Sequence, residues 1–393
     1  MKQIKLLMLI IVLFTSAGMI KAQGQTAVPF LILAPDSRAG GIGESGGGLA
    51  DNSAGIYWNP AGIAFLTGSE VSITHSNWLP QFNLDLFYDY ATYRQFVEDL
   101  NGSITASITY MNFGEFVRTG QGSPDPIGTF RSFDAAVTLG YATKLSSDWG
   151  LGFNFRLIYS RLADKGAGSG AEQDQEGVAT SVSFDVAAMW RPSHFELPLI
   201  GDLSNRFSIG MNLANVGPKI YYMNQAQADP IPTNLRLGFA IRPFEDDYNS
   251  LTYTLDFQKL LVGVNKAAVG DSIPQRDNFL TAIFTSWTDE PFSEELRQVV
   301  TSMGLEYVYG QPQDFQFALR AGMFYEDPNY GNRKFVTLGA GIRYDTYGFD
   351  FSYITTDVFK GTENHPLSNT LRFSLLIGWG AKPSHTLGFP RGI

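Results

Sequence analysis

Residues 151–160 read LGFNFRLIYS and carry the clearest structural signal in the chain. Large apolar side chains occupy every second position from Leu151 to Tyr159, and small or polar residues occupy most positions between them. A period of two residues is typical of a β-strand that has one apolar and one polar face. This stretch therefore predicts a strand that separates an apolar environment from an aqueous one.

The same alternation recurs along the chain, for example at 178–190, 336–344 and 371–379. About fourteen such segments are predicted, beginning near residues 69, 82, 102, 130, 149, 177, 205, 234, 250, 299, 315, 334, 347 and 369. An even number of antiparallel strands is typical of single-chain outer-membrane barrels. A β-sandwich or a propeller would show the same local alternation, so periodicity alone leaves these architectures open.

The lengths of the connections favour the barrel. The odd-numbered connections are long, at about 77–83, 114–129, 163–176, 215–233, 260–298, 326–333 and 356–368. Most even-numbered ones are short, at 146–148, 245–249, 310–314 and 346–348, with 192–204 as the exception. Short periplasmic turns and long external loops are typical of outer-membrane barrels. The pattern predicts an all-β, transmembrane antiparallel β-barrel in the outer membrane, with both termini in the periplasm.

The two predicted faces differ in chemistry. Aromatic residues stand near the ends of the apolar face, as membrane-interface girdles do: Tyr88, Tyr90, Tyr159, Trp190, Tyr253, Tyr309, Tyr353 and Trp379. The polar face carries both signs of charge, from Asp85, Asp89, Asp134, Asp185, Asp256, Glu306, Asp350, Arg156, Arg236, Arg242, Arg320, Arg343 and Arg372. Mixed signs predict internal ion pairs that brace a plug, whereas a selective ion pore would carry a ring of one sign.

Residues 35–66, PDSRAGGIGESGGGLADNSAGIYWNPAGIAFL, precede the strands and have little strand character. We interpret this glycine-rich stretch as a plug, or hatch, inside the barrel, where the walls support a segment that packs poorly by itself. The predicted division of the chain is a signal peptide at 1–22, an N-terminal segment and hatch at 23–68, the transmembrane barrel at 69–380 and a C-terminal tail at 381–393.

The N-terminus has the pattern of a secretory signal. Lys2 and Lys5 precede an apolar core at 6–14, and a cleavage site is predicted before Gln23. Removal of residues 1–22, which hold three lysines and no acids, takes the formal charge from -10 to -13. So acidic a chain argues against nucleic acid as a partner, because phosphates require a basic surface. The chain has no cysteine, which excludes disulfides and thiolate metal sites.

Several hatch residues have predicted roles. Asp36 and Arg38 are interpreted as a structural latch to the charged wall, because buried charges are nearly always paired. Asn59 and Pro60 mark a turn that directs the hatch into the first strand. Residues 43–47, GESGG, match the G-x-S-x-G pattern of hydrolases but lack the preceding buried strand that exposes such a serine. We therefore predict no catalytic residue, no metal ligand and no cofactor.

The connection at 260–298 is the best candidate for partner binding. Asp277 is predicted to cap a short helix whose apolar stripe consists of Phe279, Leu280, Ile283, Phe284 and Trp287. Ser293 is predicted to cap a second helix, with Glu294 and Glu295 in its first turn. The stripe either closes the barrel mouth as a lid or offers an apolar surface to another protein or to outer-membrane lipid. Tyr221 and Tyr222, in the connection at 215–233, are further contact candidates.

Several motifs resemble known families. DNSA at 51–54, followed by WNPAG at 58–62, resembles the plug of FadL-type fourteen-stranded outer-membrane proteins. AVPFL at 27–31 and APDSRAGGIG at 34–43 resemble the start of PorV/PorQ-group proteins, which are outer-membrane components of the type IX secretion system in Bacteroidota. NVGPKI at 215–220 and PTNLRLG at 232–238 are similar to later stretches of that group.

The resemblance implies a role without catalysis. Proteins of this family associate with an SprA-type translocon and take up secreted client proteins through a C-terminal sorting domain. They carry the clients to an attachment complex of PorU, PorQ and PorZ type. Two alternatives stay open: a FadL-like channel for hydrophobic small molecules, which needs a continuous apolar tunnel, and a surface lipid hydrolase, which needs a Ser-His-acid site.

Overall fold

The computed structural model describes residues 26–119, 125–164, 176–198, 201–263, 276–311, 315–356, 358 and 365–380. The predicted signal peptide and the predicted tail at 381–393 lie outside these residues. Fourteen antiparallel strands form a closed barrel, and a two-stranded sheet, β7 (Glu196–Leu197) and β8 (Gly201–Asp202), lies in one connection. The barrel strands are β1 Ser69–Asn77, β2 Phe87–Val97, β3 Gly102–Thr119, β4 Pro126–Lys144, β5 Trp149–Ala163, β6 Gly177–Trp190, β9 Phe207–Val216, β10 Asn234–Glu245, β11 Asn249–Leu260, β12 Val300–Tyr309, β13 Phe315–Tyr325, β14 Lys334–Tyr344, β15 Tyr347–Thr355 and β16 Leu371–Trp379.

Each barrel strand pairs with the next one along the chain, and β1 closes the ring against β16, with Ser69 opposite Trp379. The predicted fourteen-stranded barrel is therefore confirmed. Two strand starts differ from the prediction by more than two residues, and one of them, that of β4, lies at Pro126 rather than near 130. β2 begins at Phe87 rather than near 82, because a 3-10 turn, Pro80–Phe82, lies between Leu79 and Asn83, which both have positive φ.

The predicted long connection at 114–129 is wrong, because most of it continues β3 and β4 as a paired hairpin. A β-bulge between Asn112 and Glu115 admits the extra residues, and Gly114 there has a φ of 86°. Glycine suits this position, since it takes positive φ without steric cost. The other connections alternate as expected, and we call the two ends of the barrel the long-connection end and the short-connection end.

The outer face of the barrel is apolar. Many large hydrophobic side chains are exposed there, among them Ile73, Ile108, Leu139, Phe153, Leu319, Leu338 and Leu375. Rows of aromatic rings stand at both ends, with Trp149 beside Trp190 at the short-connection end and Phe133 beside Tyr159 at the long-connection end. The inner face is polar and buried. This is the arrangement of a barrel that lies in a bilayer.

No helix among the described residues is long and apolar enough to cross a membrane. Four short α-helices are described: α1 (Ser37–Gly41), α2 (Gly55–Trp58), α3 (Phe279–Thr285) and α4 (Phe292–Arg297). The first two belong to the N-terminal segment, and the other two lie in the connection between β11 and β12.

The inward and outward faces of β2 are exchanged relative to the prediction. Tyr88 and Tyr90 of β2 face the lumen and are 2% and 3% exposed, so they are not girdle residues. Asp89 faces outward and pairs with His75 at 2.7 Å, and Asp85 is exposed in the connection before the strand. The two tyrosines pack in one cluster with apolar residues of the N-terminal segment. The inner wall is therefore apolar where it contacts apolar residues of that segment.

Residues 28–66, which we call the plug, lie inside the barrel. The helix α1 contacts β13 to β16, and a 3-10 helix, Pro60–Phe65, contacts β3 to β6 and β9. The glycines of the plug allow its backbone to approach the wall closely. A Cβ added at Gly43, whose φ is 75°, would lie 2.4 Å from the carbonyl oxygen of Met303. One added at Gly48 would lie 2.4 Å from the carbonyl carbon of Phe239.

Candidate functional site

Arg38 joins the plug to the barrel wall. Its Nη1 donates to Asp51 Oδ1 at 2.6 Å, within the plug, and its Nη2 donates to Glu306 Oε1 at 2.8 Å, on β12. Glu306 also accepts from Arg320 Nε at 2.7 Å, and Arg320 Nη1 donates to Asp350 at 2.8 Å. All five groups are buried. Alternating signs satisfy each charge, which is how buried ions are tolerated.

Asp36 has a different role from its neighbour. It caps α1 by accepting from the backbone nitrogen of Ala39 at 3.0 Å, and its other oxygen accepts from Trp58 Nε1 at 2.6 Å. The carboxylate therefore ties the two plug helices together, and both of these partners lie in the plug rather than in the wall. Asn59 caps the 3-10 helix that begins at Pro60, through a 3.0 Å bond from the backbone nitrogen of Ala61.

Wall carboxylates also hold the backbone of the plug. Asp256 Oδ2 accepts from the backbone nitrogens of Gly46 and Gly47, at 3.0 and 2.7 Å. On β1, Glu70 Oε1 accepts from the backbone nitrogen of Ser53 at 2.7 Å. Sequence reasoning placed Asp256 on the inner face but missed Glu70, whose inward position follows from the alternation of β1. The plug is thus anchored on several sides of the barrel.

The cavities described between plug and wall are small. The larger has a volume of about 40 Å³ and is lined by Glu44, Tyr57, Trp58, Arg236 and Arg333 among others. A second, beside Tyr88 and Tyr90, has a volume of about 10 Å³. Pockets for small organic ligands usually exceed about 300 Å³ and are mostly apolar. Neither described cavity has the size or the lining of a tunnel for a lipid tail.

Ser45, the serine of the G-x-S-x-G match, is buried in the plug. Its hydroxyl has no hydrogen-bond partner among the described residues. His75 lies on the outer wall, bonded to Asp89, so it does not activate this serine. Within the described parts of the chain, acidic residues and histidines form no cluster suited to a metal ion.

An exposed apolar surface lies at the long-connection end, on α3 and α4. Phe284 and Phe292 are each 76% exposed, and Leu280, Trp287 and Leu296 of the same connection are exposed as well. We call these five residues the rim patch. Two predicted stripe residues, Phe279 and Ile283, are only partly exposed, while Ala282 is buried beneath the helix. The helix thus presents one face to the protein and leaves Phe284 to the surroundings.

The caps of both helices differ from the prediction. Asn278, not Asp277, caps α3, because its side chain accepts from the backbone nitrogen of Leu280. Asp277 instead accepts from Thr285 Oγ1 at 2.6 Å. The residue before α4 is Pro291, and Ser293 lies inside the helix, so it is not a cap. Glu294 and Glu295 do occupy the first turn.

Buried polar contacts fix the two helices to the barrel. Lys259, at the end of β11, is 2% exposed and donates to Glu295 Oε2 and Gln298 Oε1, both at 2.7 Å. Its ammonium also stands 5.4 Å from the centre of the Trp287 ring. This lysine therefore supports α4 and a residue of the rim patch together.

A second set of contacts joins α4 to the connection between β13 and β14. Arg297 Nη2 donates to Asp327 Oδ1 at 3.0 Å, and Tyr330 donates its hydroxyl to Glu294 at 2.6 Å. Burial acts to raise the pKa of Asp327, but hydrogen bonds from Arg297 and the backbone of Asn329 outweigh it and leave the pKa lowered. The charged form of Asp327 is therefore the one that holds α4.

The two tyrosines of the connection between β9 and β10 have different surroundings. Tyr221 is 49% exposed, whereas Tyr222 is partly buried with its hydroxyl 2.8 Å from Ser160 Oγ. Only Tyr221 presents its ring to the surroundings. Lys219, two residues before Tyr221, donates to the carbonyl oxygen of Arg276 at 2.6 Å, so the connection that holds these tyrosines contacts the segment that leads into α3.

An apolar outer wall, a polar lumen and an internal plug define this chain as an outer-membrane β-barrel protein whose lumen is occupied. The family model of the type IX secretion system protein PorV matches residues 20–267. The chain belongs to that family. A comparison with curated proteins finds no match.

Several solved structures are similar to this chain in fold. The Pseudomonas putida toluene transporter TodX is 9% identical with a TM-score of 0.47, over 91% of this chain and 97% of that one. The Ralstonia pickettii toluene transporter TbuX is 10% identical with a TM-score of 0.44, over 88% and 98%. A Pseudomonas aeruginosa FadL homologue is 10% identical with a TM-score of 0.46, over 88% and 98%. Such likeness concerns the fold alone.

Proposed function

We propose that this chain is a non-enzymatic outer-membrane subunit of type IX secretion that binds secreted client proteins and shuttles them. It receives clients, through their C-terminal sorting domain, at an SprA-type translocon and delivers them to a surface attachment complex of PorU, PorQ and PorZ type. In this orientation the long-connection end is external and both termini are periplasmic. Membership of the PorV family supports the secretion role.

The rim patch is the observation that supports client binding. Exposed aromatic residues such as Phe284 and Phe292 are of the type that dominates the energy of protein interfaces. A group of exposed large apolar side chains of this kind is typical of a surface that meets another protein or a membrane. Because Lys259 and Arg297 hold the helices in place, a partner loses little free energy in ordering them.

The plug supports a role outside the lumen. Arg38, Asp256 and Glu70 connect plug and wall through buried charged hydrogen bonds, and a channel would require these bonds to break. The FadL-like channel for hydrophobic small molecules shares the fold, but the described lumen cavities are too small for such a ligand. We expect vesicles that contain the purified barrel to take up a long-chain fatty acid no faster than empty vesicles.

Client binding is tested by Phe284→Asp and Phe292→Asp, with Leu84→Asp as the matched control. Leu84 is equally apolar and exposed, and it lies in the connection between β1 and β2. The tagged barrel is purified from native outer membranes, and the co-purified client is quantified against the amount of barrel. We expect about a tenfold loss of client for the two phenylalanine variants, as for interface hot spots. Equal recovery from all three variants would remove the rim patch from the proposal.

A further inference from the structure

The ladder between β6 and β9 covers only part of β6. Within the described part of the chain, the ladder joining these strands stops where Phe184 faces Val216, although β6 extends a further seven residues, to Gly177. β10 begins at Asn234, so residues 217–233 close the wall without a regular ladder. An irregular segment at membrane depth needs partners for its backbone, because lipid tails supply none.

Asn215 holds this segment in position from the lumen side. Its φ is 58°, its backbone nitrogen donates to Asp185 Oδ1 at 2.8 Å, and its Nδ2 donates to the carbonyl oxygen of Pro232 at 3.2 Å. Thr233 Oγ1 donates back to the carbonyl oxygen of Asn215 at 2.7 Å. Both ends of the segment are thereby fixed, and its first residues lie along the edge of β6.

A groove follows on the outer surface. It has a volume of about 740 Å³ and lies between the outward faces of β4 to β6 and the start of the 217–233 segment. Its lining is mostly apolar and includes Ala135, Val137, Leu157, Val182, Lys219 and Tyr221. Ala135, Leu157 and Val182 belong to the face that meets the bilayer, so the medium that fills this groove is lipid.

The depth of the groove follows from the strand register. A row of rings, Tyr110, Phe133 and Tyr159, runs along the long-connection end with centroid separations of 5.5 and 5.7 Å. Aromatic rows of this kind stand at the level of lipid headgroups. Ala135 follows Phe133 on the same face, towards the short-connection end. The groove therefore begins at headgroup level and runs into the acyl-chain layer.

Basic residues stand where the groove reaches the headgroup level. Lys219 lines it, and its ammonium donates to a neutral carbonyl oxygen, that of Arg276, so its charge is not cancelled. Arg161 lies two residues beyond Tyr159 on the same face, and Arg131 lies two residues beyond Phe133. Acidic groups are nearby as well: Asp164 lies 3.7 Å from Arg161 and 3.8 Å from Arg118, and Glu115 is opposite Arg131.

Among the residues described as lining the groove, Lys219 alone is charged, so the charge at its rim favours an anion. We propose that the groove is a binding site for one phosphate-bearing membrane lipid. One acyl chain lies along Ala135, Leu157 and Val182, and the phosphate lies near Lys219. The site needs only that the wall faces a bilayer, so it does not depend on the role in secretion.

The test uses native mass spectrometry of the purified barrel in detergent. Phosphatidylglycerol is titrated against diacylglycerol with the same acyl chains, which lacks the phosphate. We expect the wild type to hold one phosphatidylglycerol at about a tenfold lower concentration than diacylglycerol. Ala135→Trp, which fills the groove, should abolish this adduct, and Lys219→Gln should lower its binding to the level of diacylglycerol.

Ala340→Trp is the matched control, because Ala340 faces outward on β14, away from the groove. It should leave the adduct unchanged. The heat-dependent gel shift of the barrel reports whether Ala135→Trp folds. If it does not, Val182→Phe replaces it, because this substitution narrows the same groove. Equal adducts in Ala135→Trp and Ala340→Trp, or equal binding of the two lipids by the wild type, would overturn the proposal. A groove variant that loses a co-purified membrane protein but still binds phosphatidylglycerol would also overturn it, because the groove would then be a protein-binding site.

Discussion

Arg38 and Glu306 form a bidentate ion pair across the lumen, with bonds of 2.9 Å from Nε to Oε2 and 2.8 Å from Nη2 to Oε1. One residue belongs to the plug and the other to the wall strand β12. A planar guanidinium matches a carboxylate in this geometry, so the pair sets orientation as well as charge. It continues through Arg320 into Asp350 and so joins the plug to three wall strands, β12, β13 and β15.

Arg38→Met should destabilise the folded barrel, because it leaves Asp51 without the guanidinium that Arg38 supplies. Loss of one partner from a buried pair costs about 3–5 kcal/mol. The free energy of unfolding, measured by urea titration in detergent micelles, should fall by that order. Arg206→Ala is the control, since Arg206 lies 3.7 Å from Glu245 in a more exposed pair, and should cost less than about 1 kcal/mol. A similar loss in both variants would contradict the assigned role of Arg38.

Gly43→Ala should prevent the plug from seating. Both Gly43 and Gly114 have positive φ, but the wall backbone confines only Gly43. The backbone strain of an alanine costs about 1–2 kcal/mol at either site, and overpacking adds about 1–3 kcal/mol at Gly43. Limited proteolysis should therefore cut the plug in Gly43→Ala and spare it in Gly114→Ala. Equal protection of the two plugs would show that the close approach to Met303 is not limiting.

Lys259→Met should loosen α3 and α4 while the barrel remains intact. The substitution leaves Glu295 buried with its charge uncompensated, at a cost of about 3–5 kcal/mol. Amide hydrogen exchange over residues 279–297 should accelerate by more than about tenfold, since each 1.4 kcal/mol is a factor of ten. Exchange in β16 should not change. Lys334→Met is the control, because Lys334 lies over the Tyr325 ring and is partly exposed.

Acid should weaken the contact between α4 and the barrel. The pKa of Asp327 is lowered in the folded protein, so its stabilising effect is present above the ordinary aspartate value of 3.8 and is lost as the pH falls below it. The fluorescence of Trp287, in a variant that keeps this tryptophan alone, should change between about pH 5 and pH 2. Asp327→Asn should remove the transition. A transition that persists in that variant would assign it to another carboxyl group.

Local pattern was a good guide to the strands and a poorer guide to which way they face. The alternation at 151–160 predicts β5 correctly, because each side chain there is plainly apolar or polar. In β2 the face signal is weak, and Tyr88 and Tyr90 turn inward because apolar plug residues such as Leu31 and Ile56 lie opposite them. Which plug residues lie opposite a strand depends on contacts between distant parts of the chain, so the local sequence of the strand does not predict it.

The helix caps show the same limit on a smaller scale. The stripe from Phe279 to Trp287 predicts α3, and its existence follows from helical spacing alone. The choice of Asn278 over Asp277 as its cap follows from which side chain reaches the first free amide and which meets Thr285. Burial of Glu295 beneath Lys259 was not predictable either, because the two residues meet only when the chain closes over the rim.

The sequence by itself determined the strand count, the closed barrel and its apolar exterior, because a period of two residues and the lengths of connections are local features of the chain. Only the tertiary structure decided which charges meet across the lumen, which aromatic residues face the plug and where the ladder between β6 and β9 ends. Those features depend on register and on the shape of the enclosed segment, and both arise only when distant strands pair and the barrel closes around its contents.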